Sequence, residues 1–210
     1  MNEAVVLVHG IWFHSLTMVV LDRRLRRCGF ETWRFGYSSV NASPQENAAR
    51  LQEFVQQIDA SVVHFVGHSL GGLVILRLFH EFPQQRPGRV VLLGTPLAGS
   101  RIARKLAERF GGRQLLGRSI EQGLLGDGPS WSGQRELGVV AGTAAVGVGL
   151  LLGGLDEPND GTVAVRETQI AGVSDHVLVR TSHTGLLFSP AAARQVCHFL
   201  ETGHFLGSDF

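Results

Sequence analysis

The sequence is poor in cysteine and in unbalanced charge. Only Cys28 and Cys197 occur in 210 residues, which excludes a disulfide framework and a cysteine-built metal site. The two thiols are expected to be reduced. Lys plus Arg number 19 against 18 Asp plus Glu, so no global field draws in nucleic acid or a strongly acidic partner. No Lys/Arg-rich block with interleaved aromatics appears, which speaks further against nucleic-acid binding. The chain opens straight into an apolar run without a basic leader, so the expected location is cytoplasmic. No repeat and no linker divides the chain, and its length suits one domain covering residues 1–210.

One stretch lacks charge altogether. Leu137 to Leu155 is about as long as a membrane span, but it holds six glycines and runs at once into Asp156-Glu157-Pro158-Asn159-Asp160. It reads as a buried strand followed by a Gly-rich apolar loop. The 27 glycines, well above an ordinary share of about 7%, cluster at the ends of apolar runs where tight turns are needed.

Short apolar runs that suit strands buried on both faces alternate with helical spacing. The predicted strands are Ala4–Val8, Glu31–Tyr37, Val62–Val66, Val90–Leu93, Leu137–Ala141 and Val177–Arg180. The predicted helices cover Leu16–Arg27, a segment from Ser43 to about Ile58, Leu70–Phe82, Ile102–Phe110 and Pro190–Leu200. Ser43-Pro44-Gln45-Glu46 carries a capping box with proline in the first turn. This alternation predicts an α/β fold, a mostly parallel sheet of about six strands with helices on both faces. Ligands in such sheets bind at the carboxyl edge.

At that edge lies Gly67-His68-Ser69-Leu70-Gly71, a G-x-S-x-G pattern directly after one predicted strand and directly before a helix. A turn that sharp strains the central residue, and small residues two before and two after let the backbones approach. The Ser69 hydroxyl is then held above the sheet, over a helix N-terminus that favours negative charge. A serine hydroxyl needs a base. His183, in the loop Thr181-Ser182-His183-Thr184-Gly185 after the last strand, is the candidate. The base needs an orienting acid after the fifth strand. Asp156, Glu157 and Asp160 qualify by position, and Asn159-Asp160-Gly161 favours Asp160 because Gly161 permits the tight turn that fixes its carboxylate. The backbone N–H groups of Leu70 and of Ile11, in the loop His9-Gly10-Ile11-Trp12, are candidate oxyanion donors. Trp12, Phe13 and His68 are candidate pocket residues.

Val8-His9-Gly10, Gly67-His68-Ser69-Leu70-Gly71-Gly72, Gly94-Thr95-Pro96, Asn159-Asp160-Gly161-Thr162-Val163 and Ser182-His183 together resemble the bacterial lipases and esterases of the α/β-hydrolase superfamily, most of all the small lidless type. The resemblance spans roughly residues 5–200. It implies a Ser69–His183–Asp160 triad, Ile11 and Leu70 as oxyanion donors, and carboxylic ester hydrolysis through an acyl-enzyme, without metal or cofactor. An acyltransferase with the same triad, or a non-catalytic binding protein of the same fold, are the alternatives. Such lipases are often secreted, whereas this sequence carries no visible export signal.

Residues 100–118 hold six basic residues against Glu108, with Ile102, Leu106 and Phe110 spaced by four as one apolar stripe. Such a helix packs its stripe on the sheet, or lies on an anionic membrane surface as a peripheral contact at the inner membrane. Residues 100–135 are a candidate cap, and with Trp12 and Phe13 a candidate acyl pocket. The expected partner is a small-molecule or lipid ester.

Overall fold

The computed structural model describes residues 2–207. Six strands, β1 (Glu3–Val8), β2 (Glu31–Phe35), β3 (Val62–His68), β4 (Val90–Leu93), β5 (Leu137–Gly142) and β6 (Asp175–Val179), form one sheet in the order β2-β1-β3-β4-β5-β6. Every neighbouring pair is parallel. The strands expected from the apolar runs are those present, with ends displaced by a few residues. The sixth starts earlier than its apolar run, at Asp175, so His176 lies in the strand.

The helices are α1 (Val19–Arg27), α2 (Pro44–Gln56), α3 (Leu70–Glu81), α4 (Arg101–Ala107), α5 (Gly112–Leu116), α6 (Val148–Leu151) and α7 (Pro190–Thr202). At the start of α2, Ser43 Oγ accepts from Glu46 N, and Ser43 N donates to the Glu46 carboxylate, the reciprocal cap that the sequence spells out. The core divides in two across the sheet. One layer packs α2 and α3 on Val6, Phe65 and Leu92, and the other packs α1 and α7 on Val5, Leu7, Val66 and Val91. Alternate side chains of one strand thus enter opposite cores, which is why the strands read as continuous apolar runs.

Two expectations need correction. Cys28 and Cys197 are joined by a disulfide. α1 and α7 cover the same face, and their packing brings the two Cα atoms to 6.3 Å, inside bridging range. The apolar stripe of residues 102–110 also does not hold. α4 ends at Ala107, the chain bends through Gly111 in a left-handed conformation, and Gly112 sits against the Leu106 carbonyl so closely that a Cβ would lie 1.7 Å from its oxygen. Ile102 is buried and Leu106 partly so, while Phe110 is turned wholly outward.

The uncharged stretch after Leu137 is β5, a loop and the four-residue α6. No helix among the described residues is long and apolar enough to cross a membrane.

Candidate active site

The strand order turns back on itself between β1 and β3, because the chain leaves β1 outward to β2 and returns to β3 on the other side. At that point the loops after adjacent strands diverge and open a crevice at the carboxyl edge. The His9–Trp12 loop follows β1 and Ser69 follows β3, so the two meet across this crevice.

Ser69 is the turn residue between β3 and α3, with φ of +53°, one of three non-glycine residues with positive φ among those described. Such a conformation costs on the order of 1–3 kcal/mol and persists only where its surroundings enforce it. Here Ser69 N donates to Leu93 O at 2.9 Å. Gly71 lies so close to β1 that a Cβ would come within 2.3 Å of Val8 O and 2.5 Å of His9 O. The glycine therefore lets α3 start flush against the end of β1. The Leu70 and Ile11 N–H groups have no acceptor among the described residues. Gly10 packs directly on Ser69, where an added Cβ would be 3.1 Å from Ser69 Cβ.

Asp160 is 1% exposed in the loop between β5 and β6. Its Oδ1 accepts from Thr162 N at 2.9 Å and Val163 N at 2.7 Å, and its Oδ2 meets His183 Nδ1 at 2.7 Å. The turn expected at Gly161 is present, with φ of +91°. The carboxylate thus spends one oxygen on its own loop and presents the other to the imidazole. His183 N also donates to Asp160 O at 2.8 Å. Asp156 and Glu157, the other acids open by position, do not touch His183; Glu157 pairs instead with Arg101 and Arg166. Ser69 and His183 line the same cleft, and no hydrogen bond joins their side chains among the described residues. In unliganded sites such contacts are commonly long and tighten with substrate.

His68 has a part that its sequence position did not disclose. Its ring is fully buried, stands 4.7 Å from the His183 ring, and donates from Nε2 to His183 O at 3.0 Å. Burial, and next the nearby His183, push its pKa down to about 3, so the ring is neutral. With its proton on Nε2, Nδ1 is an acceptor, and it is left without a partner. Gly94 was also missed as a site residue. It has φ of +55°, and a Cβ there would come within 3.0 Å of both Asp160 Oδ2 and His183 Nδ1. Only the bare backbone leaves room for that pair. The signals were the Gly94-Thr95-Pro96 motif of the resemblance and a glycine after an apolar strand, and neither says what the glycine makes room for.

The β1 loop is held from below. His9 is buried, and burial lowers its pKa. Tyr37 N donates to His9 Nε2 at 3.4 Å, which leaves the ring proton on Nδ1 to donate to Gly10 O at 2.9 Å. Tyr37 Oη donates to His9 O at 2.7 Å. With the Gly10 carbonyl drawn toward His9, the Ile11 N–H of the same planar peptide points the opposite way. Trp12, at φ +59°, donates its N–H to Ser39 Oγ and its indole Nε1–H to Leu115 O, at 3.1 and 3.0 Å. A cleft of about 190 Å³ opens over Ser69. Ile11, Trp12, Phe13, His68 and His183 line it together with Ile102 and Leu106 of α4, Leu116 of α5 and Leu124 of the loop that follows.

The sequence profile of the alpha/beta hydrolase family matches residues 5–206, and the chain belongs to that family. No curated protein matches. Among solved structures, the mature form of lipase BlEst2 from Bacillus licheniformis superposes with a TM-score of 0.74 at 19% identity, over 95% of this chain and 91% of that one. Carboxylesterase CesB from Bacillus subtilis gives 0.57 at 14% identity, over 96% and 84%. A pyrethroid hydrolase from Sphingobium faniae gives 0.64 at 12% identity, over 95% and 98%. At these identities the likeness is one of fold.

Proposed function

We propose that this protein is a serine hydrolase that cleaves carboxylic esters with an apolar acyl group, with Ser69, His183 and Asp160 as its triad. The observation that carries the reading is the buried 2.7 Å contact of His183 Nδ1 with Asp160 Oδ2, beside the strained Ser69 in one apolar cleft. The carboxylate keeps the imidazole proton on Nδ1, so Nε2 is free to take the Ser69 hydroxyl proton as Oγ attacks the ester carbonyl. The Ile11 and Leu70 N–H groups, without an acceptor among the described residues, receive the developing oxyanion. His183 then protonates the leaving alcohol. A water deprotonated by His183 attacks the acyl-enzyme, and Ser69 Oγ leaves with that proton.

The lining by Ile102, Leu106, Leu116 and Leu124 suits an aliphatic chain. Burying a methylene contributes about 0.8 kcal/mol, or roughly fourfold in kcat/KM for each carbon the cleft can take. A series of p-nitrophenyl esters of increasing chain length tests this. The rate rises with chain length until the cleft is full; a preference for acetyl would overturn the acyl assignment. Added alcohol acceptors separate hydrolysis from acyl transfer, since a transferase converts the acyl group mainly into the new ester. The disulfide bears on location. Such bonds persist in oxidising surroundings, which weighs against the cytoplasmic expectation.

A further inference from the structure

The corner between α4 and α5 reads Arg109-Phe110-Gly111-Gly112-Arg113. Phe110 has a relative exposure of 109%, so its ring touches almost nothing of its own chain. An aromatic ring left in water is a large apolar area without a partner. Arg109 and Arg113 flank it, both exposed, and neither guanidinium is hydrogen-bonded or ion-paired among the described residues. This contrasts with Arg101, Arg104 and Arg118 of the same segment, each tied to a carboxylate or a carbonyl. The corner is tightly packed, because Gly112 fits against the Leu106 carbonyl where an added Cβ would lie 1.7 Å from its oxygen. It also adjoins the cleft mouth. Leu115, half exposed, holds the Trp12 indole through its carbonyl, and Leu106 and Leu116 line the cleft below.

We propose that this corner docks the protein on an anionic lipid bilayer, with Phe110 set between the headgroups and Arg109 and Arg113 on lipid phosphates. An apolar tip between two unpaired cations matches the two layers of such a surface, apolar below and anionic above. A soluble acidic protein would satisfy the arginines but would need a matching apolar pocket to take the ring, whereas any anionic bilayer supplies both layers. Each basic residue near an anionic surface strengthens attachment by about fivefold, and burial of the ring adds about tenfold or more. Docking this way sets the mouth beside Leu115 and Trp12 toward the lipid, which goes beyond the hydrolytic reading and does not depend on it.

Flotation of the purified full chain with phosphatidylcholine vesicles, with and without phosphatidylglycerol, is the test. The protein is expected to float with the anionic vesicles at low salt, and much less with neutral ones or at high salt. Phe110→Ser should weaken binding about tenfold or more, and Arg109→Gln with Arg113→Gln about 25-fold. All variants should keep their melting temperature and their rate on a soluble short ester. No flotation with anionic vesicles, or parental binding by Phe110→Ser, would overturn the proposal. So would light scattering that shows a dimer lost in Phe110→Ser without vesicle binding, since the ring would then cover a second copy. An inactive protein that still floats would refute the hydrolase reading and leave the docking surface standing.

Discussion

Cutting the covalent tie between α1 and α7 should cost this fold a large part of its stability. Cys28 and Cys197 are 169 residues apart in sequence, so the bridge closes most of the chain into one loop. On the chain-entropy account, closing a loop of that length removes about 17 cal/mol/K from the unfolded ensemble, or about 5 kcal/mol at room temperature. Spread over the unfolding entropy of a domain this size, that is a melting-point change of roughly 10–20 °C. Cys28 is exposed and sits beside Asn2, Glu3 and Glu31 at the amino edge of the sheet, away from Ser69 at the carboxyl edge. A reductant can therefore reach the bond without touching the site. Thermal unfolding by circular dichroism should show the oxidised protein melting well above the reduced one. The double variant Cys28→Ala/Cys197→Ala should melt low and ignore the reductant, while its esterase rate at moderate temperature matches the parent. Equal melting points for oxidised protein and double variant, within about 2 °C, would refute the reasoning.

Acid should destabilise the protein in a defined window. The folded His68 pKa of about 3 lies below its ordinary value, so between that value and about 6.5 the unfolded chain binds a proton that the folded one refuses. Stability is full above that window and falls as pH drops through it. Burial lowers His9, His64 and His176 in the same direction. Urea midpoints at neutral pH and near pH 5 check this, and a midpoint that rises on acidification contradicts it. Gly71→Ala should cost several kcal/mol or prevent folding, because the new Cβ meets the Val8 carbonyl at 2.3 Å; an unchanged melting curve would show that the elbow is looser than drawn. Asp160→Asn keeps the shape but donates toward His183 Nδ1, which moves the ring proton to Nε2; kcat should fall about 10⁴-fold in a folded protein. His68→Gln can retain a donor toward the His183 carbonyl and should keep far more activity than His68→Leu, and equal rates in the two variants would show that this bond does not position the ring.

Much of this was legible in the sequence because local rules and tertiary demands agree. The cap at Ser43, the glycine spacing around Ser69 and the turn at Gly161 each follow from backbone geometry that only certain residues permit, and each recurs in the structure. Contacts that depend on packing were not legible. The stripe from Ile102 to Phe110 assumed an unbroken helix, and the Gly111-Gly112 corner overrides it. The helices that carry Cys28 and Cys197 are expected on one face of this fold, but whether the thiols come within bonding range depends on their packing. That left reduced thiols as the default expectation. The bond from His68 to the His183 carbonyl and the space kept by Gly94 arise between loops far apart in sequence, where no spacing records them.

The claim that Ser69 is an activated nucleophile can be tested most directly by covalent capture. Incubation with a fluorophosphonate and intact-mass analysis should show one adduct, mapped by peptide sequencing to Ser69, absent in Ser69→Ala and slowed by several orders of magnitude in His183→Ala. No adduct on the folded parent, or an adduct that persists in Ser69→Ala, would contradict the account.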